Sequence, residues 1–112
     1  MAAPKDFDVR LEHPSEGTSV VTVAGDLDMA TTPELETALA AATSSARLVV
    51  DLSECTFLDS AAVRLLVSSQ RGVQAAGGEL VLVADDPGIL RVLEITAVDE
   101  LLPVHTTIEA AL

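Results

Sequence analysis

The chain has 112 residues, of which 49% are hydrophobic and only 2% aromatic, so it can bury one core built mainly from aliphatic side chains. Eighteen acidic residues against six basic ones give a formal net charge of −12. Because nucleic acids and anionic membranes attract cationic surfaces, this charge argues against both as direct partners and leaves a basic protein compatible.

The first half of the chain predicts a hairpin followed by a helix. Apolar residues alternate with polar ones over residues 7–12, which is the period of a half-buried strand, and residues 18–24 predict the returning strand. Residues 13–17 between them have the composition of a turn. Thr32 is then the predicted N-cap of a helix that has Pro33 at its first position.

The second half alternates strands and helices. Residues 48–52 form a short, almost unbroken apolar run, which is typical of a strand covered on both faces. A long helical pattern then begins at Ser60 and ends at the glycines 77–78. The remaining predicted elements are a strand over residues 80–84, a helix capped by Asp86, an edge strand over residues 101–105 and a terminal helix over residues 107–112.

This order of elements predicts an α/β fold in which helices pack over one mixed sheet. Three predicted loops follow strand ends and lead into helices, over residues 25–31, 53–59 and 84–86. Binding sites in open α/β sheets tend to collect at such loops. The loops are therefore the first place to look for functional side chains.

The termini and the cysteine content bear on the compartment. No apolar run reaches the roughly 20 residues of a membrane helix, and the first residues lack the pattern of a signal peptide. Cys55 is the only cysteine, which excludes an internal disulfide and is typical of a reducing environment. We therefore expect a cytoplasmic protein with a single domain over residues 1–112, of which residues 1–5 form a flexible tail.

Ser60 is the candidate functional residue, because it is the predicted N-cap of the long helix and lies beside Asp59. Such a hydroxyl can cap the helix, attack a substrate or accept a phosphate. A nucleophile needs a nearby base, but His13 and His105 lie in the predicted hairpin turn and edge strand, and no Gly-x-Ser-x-Gly motif is present. A phosphate would meet free backbone N–H groups and a favourable dipole. Capping and phosphorylation both stay open.

Two segments carry a resemblance to a known family. Residues 21–28 are similar to a family strand that ends in Gly-Glu-Leu-Asp, and residues 49–53 and 57–61 are similar to an Asp-Leu-Ser element followed by Asp-Ser-[Ser/Thr/Ala]-Gly. Over nearly its whole length, the chain resembles the single-domain anti-sigma factor antagonists of the STAS family. The resemblance implies a four- to five-stranded mixed sheet with helices mainly on one side.

The resemblance also implies a partner-switching regulator rather than an enzyme. The unphosphorylated form would bind an anti-sigma factor that is also a serine kinase, and would thereby free a sigma factor. The kinase would phosphorylate Ser60 and release the antagonist, and a PP2C-type phosphatase would restore it. ATP would belong to the kinase, so no cofactor of this chain's own is implied.

A partner-binding surface around Ser60 follows from the same resemblance. Asp28 would belong to an acidic rim near the serine, and Asp59 to the signature itself. Ala62 stands where the family usually has Gly, which would permit close backbone approach by a partner. The outer stripe of the helix would adjoin this surface through Ala61, Arg64, Leu65 and Ser68, with Leu65 as the apolar contact.

Other interpretations stay open for these residues. Asp28 and Asp59 could simply cap turns, and the stripe on the helix could be a solvated face. A STAS subunit of a lipid-transport ATPase would bind its transporter constitutively, and a serine hydrolase would use Ser60 as its nucleophile. A magnesium site formed by the two acids and Ser60 is not expected, because no phosphate-cradling loop accompanies them.

Overall fold

The sheet has five strands whose order in space follows their order in the chain. The computed structural model describes residues 6–112, so the predicted tail over residues 1–5 lies outside the described part. The strands are β1 (Asp8–Ser15), β2 (Thr18–Leu27), β3 (Arg47–Leu58), β4 (Glu79–Val83) and β5 (Val104–His105). The helices are α1 (Thr32–Ala41), α2 (Ser60–Ala75), α3 (Pro87–Ile95) and α4 (Ile108–Ala111), and a 3-10 turn covers Val98–Glu100.

The sheet is mixed, as the sequence predicts. Strands β1 and β2 pair antiparallel as a hairpin, whereas β2, β3, β4 and β5 are successively parallel. Because the carboxyl ends of parallel strands meet at one edge, the segments that lead from β2, β3 and β4 into helices start side by side. This edge of the sheet is called the carboxyl edge below.

Strand β3 is longer than its apolar run predicts. Residues 53–58 were expected in a loop, but they continue the strand to Leu58. The reason is pairing: β4 accompanies β3 only as far as Asp51, while β2 remains paired with it up to Leu27–Leu58. Hydrogen bonds to β2 therefore keep residues 53–58 extended, although these residues do not continue the apolar run of residues 48–52.

Two cores lie on opposite faces of the sheet. The larger one is covered by α1, α2 and α3 and contains Leu35, Leu66 and Leu93 from these helices. The smaller one is covered by α4, whose Ala111 packs with Val49 and Val81 of the sheet. Three of the four helices thus share one side, which confirms the predicted arrangement.

The helix and strand ends differ from prediction by small amounts. Helix α1 begins at Thr32, and its N-cap is Thr31 rather than Thr32. The Asp86 cap of α3 is confirmed, since the Ile89 N–H donates to its carboxylate at 3.1 Å. The last strand is only Val104–His105, although the Pro103 carbonyl still accepts a hydrogen bond from the Leu82 N–H at 2.9 Å.

No helix within residues 6–112 is both long enough and apolar enough to span a membrane.

Candidate functional site

The carboxyl edge brings the start of α2 against the loop that follows β2. Leu27 and Leu58 are register partners at the ends of β2 and β3. One residue further on, the Asp59 N–H donates to the Leu27 carbonyl at 3.2 Å. Residues 28–31 and the first turn of α2 therefore lie next to each other, although about thirty residues separate them in the chain.

Asp59, and not Ser60, is the N-cap of α2, which corrects the sequence-based prediction. One oxygen of its carboxylate accepts from the Ala62 N–H at 3.0 Å, and the other accepts from the Met29 N–H at 3.1 Å. The Asp59 backbone is extended, as an N-cap requires. A carboxylate has two acceptor oxygens, so the Asp59 side chain can cap α2 and at the same time bind the loop that follows β2.

Ser60 is the first residue of α2 and is exposed to solvent. Within residues 6–112, no side-chain hydrogen bond involves its hydroxyl. Because Asp59 performs the capping, the Ser60 hydroxyl is not needed to stop the helix from fraying. The oxygen is therefore open to modification or to a docking partner, at a point where the helix dipole favours negative charge.

The loop after β2 is held by a compact set of hydrogen bonds. The Asp28 carboxylate accepts from the Ala30 N–H at 2.9 Å and from the Thr31 N–H at 3.2 Å. The Thr31 hydroxyl accepts from the Asp28 N–H at 2.9 Å and donates to the Asp26 carbonyl at 2.8 Å. Thr31 is only 1% exposed. One oxygen of the Asp28 carboxylate thus holds the loop in its conformation. Thr31, to which the sequence analysis assigned no role, stabilises the loop further through its buried hydroxyl.

The predicted stripe on α2 lines a shallow groove of about 330 Å³ between α1 and α2. Arg64 and Ser68 are exposed in this groove, while Ala61 and Leu65 are half-buried. The opposite wall comes from α1, which sequence reasoning did not include; its lining residues are Thr32, Pro33 and Glu36. The structure therefore brings the four predicted positions together and adds a second helix to the surface, which we call the α1–α2 groove.

Ala62 does not belong to this surface, and its assignment to a partner contact is wrong. The residue is 0% exposed and packs in the larger core. Its backbone N–H is already used by the Asp59 cap. The Ala62 methyl group therefore belongs to the core and not to the exposed surface.

This burial predicts how much the Ala62 methyl group stabilises the fold. Ala62→Gly should lower the free energy of unfolding by about 1–1.5 kcal/mol, because it removes a buried methyl group and lowers helix propensity. Ala61→Gly is the matched control: it is half-buried in the same turn and should cost about half as much. Urea unfolding measures both. Equal losses for the two variants would contradict the role given to Ala62.

The carboxyl edge carries a rim of acidic side chains. It consists of Asp26, Asp28 and Asp59 with Asp85 and Asp86 from the loop after β4. The segments that bear these acids, residues 25–31, 56–59 and 84–86, contain no Lys or Arg. The acids of this rim thus have no cation on their own segments, and Arg64 of α2 is the first cation after Ser60 in the sequence.

Other chemistry at Ser60 finds little support in the geometry. His13 lies at the opposite edge of the sheet, where its Nδ1 is 3.0 Å from the Ser19 hydroxyl at the start of β2. Over residues 6–112, no hydrogen bond joins either histidine to Ser60, and no group of three potential ligands is arranged to hold a metal ion. In the described part of the chain, no base that could activate the serine is hydrogen-bonded to its hydroxyl.

Cys55 is buried in the larger core and is not presented to solvent as a reactive thiol. Its Sγ donates to the Phe57 carbonyl at 3.1 Å. Burial raises the pKa of the Cys55 thiol above its usual value, and the negative charges of Asp26 and Asp86 act in the same direction. A raised pKa keeps the sulfur protonated and unreactive at neutral pH.

The sequence of this chain is similar to those of known proteins. The family model described as "Mlab, STAS domain" matches residues 12–103. RsfA of Mycobacterium tuberculosis, which is named an anti-sigma-F factor antagonist, is 32% identical over 97 residues that cover 83% of this chain and 76% of RsfA. BtrV of Bordetella bronchiseptica is 30% identical over 98 residues that cover 86% of this chain and 84% of BtrV.

A solved structure agrees with this assignment over almost the whole chain. The crystal structure of an anti-sigma factor antagonist from Mycobacterium paratuberculosis superposes with a TM-score of 0.86 at 34% sequence identity. The match covers 99% of this chain and 95% of that protein. The fold, the signature around Ser60 and these relatives agree, and the chain belongs to the STAS domain family.

Proposed function

We propose that this protein is an anti-sigma factor antagonist whose partner binding is switched by phosphorylation of Ser60. The observation that carries the proposal is the exposed Ser60 hydroxyl at the start of α2, which Asp59 frees from any capping role. The names of its relatives support an anti-sigma factor as the partner. On this proposal the protein is a regulator and not an enzyme.

A phosphate on Ser60 is expected to leave the fold intact. The group would extend from the first helical residue into solvent, near backbone N–H groups and the positive end of the helix dipole. It would add a charge of about −1.5 to −2 to a rim that already contains Asp28 and Asp59. Phosphorylation should therefore change the affinity for a docked partner strongly and the stability of the fold only slightly.

The docking surface would combine this rim with the α1–α2 groove. Arg64 and Ser68 are the exposed polar positions of the groove, and Leu65 with Ala61 supplies its apolar part. Asp28 and Asp59 would face basic groups of the partner, because the rim carries no compensating cation. The net charge of −12 supports a basic protein surface as the partner, and disfavours nucleic acid or an anionic membrane.

The partner would also supply the chemistry of the switch. An anti-sigma factor that is a serine kinase would hold ATP and transfer its terminal phosphoryl group to the Ser60 hydroxyl. A PP2C-type phosphatase would hydrolyse the phosphoserine and restore binding. This chain would then need no cofactor or metal of its own, and it would act in the cytoplasm, where a sigma factor works.

Phosphorylation of the purified protein tests the proposal. Incubation with ATP and the anti-sigma kinases of the same organism should place one phosphate on Ser60, as located by mass spectrometry of peptides. Ser60→Ala should abolish the phosphate and still bind the kinase, since the rest of the surface is unchanged. Ser44→Ala, which changes an exposed serine outside the proposed docking surface, should be phosphorylated like the parent.

Two results would go against this function. A phosphate that persists in Ser60→Ala would show that another residue is the acceptor. A chain that is never phosphorylated and copurifies stably with membranes would instead favour the subunit of a lipid-transport ATPase.

A further inference from the structure

The loop after β2 presents a large apolar side chain to solvent next to the proposed docking site. Met29 is 76% exposed, which is the highest value among the large hydrophobic residues of the described chain. Single exposed apolar residues are common and need no explanation by themselves. Met29 differs from the others in how it is held and in what surrounds it.

The loop that carries Met29 is rigidly built. Asp28 on one side and Ala30 with Thr31 on the other are joined by the hydrogen bonds described above. The Met29 N–H itself donates to the Asp59 carboxylate at 3.1 Å. A side chain on a fixed backbone loses less entropy on binding than one on a mobile loop. The backbone that carries the exposed Met29 side chain is thus already ordered before a partner binds.

The position of Met29 places it beside the switch residue. The Asp59 carboxylate that accepts its N–H belongs to the residue directly before Ser60. A partner that covers the Ser60 hydroxyl must therefore also come close to the Met29 loop. Methionine is well suited to such a contact, because its unbranched, polarisable side chain adapts to irregular apolar surfaces.

The charges around Met29 indicate what kind of surface would receive it. Asp28 precedes it directly, Asp59 holds its N–H, and Asp26 lies two residues further back. An apolar centre within an acidic rim is complementary to an apolar pocket within a basic rim. A membrane or a second copy of this acidic chain would not offer that combination, whereas a basic protein surface would.

We infer that Met29 is an apolar anchor of the docking surface, and that it inserts into an apolar pocket with a basic rim on the anti-sigma factor. This inference rests on the proposed function. The rim steers the partner and governs the association rate, while the anchor governs the lifetime of the complex. Asp59 is then a positioning residue that fixes both the helix with Ser60 and the loop with Met29.

Substitution of Met29 tests the anchor against a matched control. Met29→Ala should bind the anti-sigma factor about tenfold to thirtyfold more weakly, with most of the loss in the dissociation rate. Met29→Leu should keep most of the affinity, since it retains an apolar side chain of similar volume. Ile95→Ala, which truncates a residue that is 68% exposed at the end of α3, should bind within about twofold of the parent.

The measurement is surface plasmon resonance on the full chain, with urea unfolding to show that the variants remain folded. Raised salt should slow the association of the parent and of Met29→Ala by the same factor, because the acidic rim is identical in both. Ser60→Asp is included as a separate indicator of the switch.

The outcomes separate the anchor from the function on which it rests. If Met29→Ala binds like the parent while Ser60→Asp binds weakly, the anchor is refuted and the proposed function stands. If Ile95→Ala loses as much affinity as Met29→Ala, the effect is not local and the anchor is refuted as well. If the parent chain binds no anti-sigma factor, both proposals fall together.

Discussion

Ser60→Asp should weaken the binding of the anti-sigma factor more than a hundredfold, whereas Ser60→Ala should bind like the parent. The aspartate places a negative charge at the first residue of α2, within the acidic rim. The prediction requires that the partner group directly opposite Ser60 is a carboxylate, whereas the basic groups of the partner face Asp28 and Asp59. A carboxylate about 5 Å away, at an effective dielectric constant of about 20, repels the aspartate by about 3 kcal/mol. That energy corresponds to more than a hundredfold in the dissociation constant.

The loss should come from the interface and not from unfolding. An acidic residue in the first turn of a helix is favourable by about 0.3–1 kcal/mol, so Ser60→Asp should unfold at the same urea concentration as the parent, or slightly above it. Isothermal titration calorimetry with the anti-sigma factor measures the affinity. A folded Ser60→Asp that binds as tightly as the parent would refute electrostatic release.

A charge placed elsewhere provides the control for net charge. Ser44→Asp also makes the chain more negative by one, but Ser44 is exposed after the end of α1, at the edge of the sheet opposite to Ser60. Its affinity should stay within about twofold of the parent at physiological salt, because screening limits exposed charges beyond about 8 Å. Equal losses in both aspartate variants would mean that the total charge, and not the position of Ser60, controls binding.

Gly78→Ala should be strongly destabilising, with a loss of about 3 kcal/mol in the free energy of unfolding. A Cβ at position 78 would collide with the Ser45 carbonyl oxygen and would lie 3.1 Å from the Ala46 carbonyl oxygen. Both atoms belong to the backbone, and the Ala46 carbonyl also accepts the Glu79 N–H at the start of β4. To remove the collision, the connection that precedes β3 would have to move away from the connection that precedes β4.

Gly72→Ala is the matched control for this variant. Gly72 lies inside α2, and a Cβ there would meet only Thr43 Cγ2, at an ordinary contact distance of 3.8 Å. Because Gly is a poor helix former, Gly72→Ala should raise the free energy of unfolding by about 0.5–1 kcal/mol. Urea unfolding of the two variants should therefore give shifts of opposite sign. A neutral Gly78→Ala would show that the two connections can move apart without cost.

Much of the fold follows from local patterns that the printed sequence contains. The alternation over residues 7–12 and 18–24 depends only on the two-residue period of a strand, and the hairpin is confirmed. The Asp86 cap and the end of α2 before the glycines at 77–78 depend on interactions within one helical turn, and both are confirmed. The signature around Ser60 is equally local, and it indicated the family that the comparisons show.

The predictions that the structure contradicts concern features that depend on residues far apart in the chain. Residues 53–58 do not continue the apolar run of residues 48–52, and the pairing with β2 extends β3 through them. Ser60 and Asp59 are both acceptable N-cap residues, and their order in the sequence does not decide between them. In the structure the Asp59 carboxylate accepts hydrogen bonds from both the Ala62 N–H and the Met29 N–H, and the contact with Met29 joins residues thirty positions apart.

The site itself required the tertiary structure for the same reason. By itself, the sequence determined the fold class, the acidic character and the candidate serine, because hydrophobic period, charge and short motifs are properties of neighbouring residues. Only the packed structure decided that Ala62 is buried, that α1 supplies a wall of the groove and that Met29 is hydrogen-bonded to Asp59, the residue before Ser60. These relations join residues about thirty positions apart, and the register between β2 and β3 sets their distances.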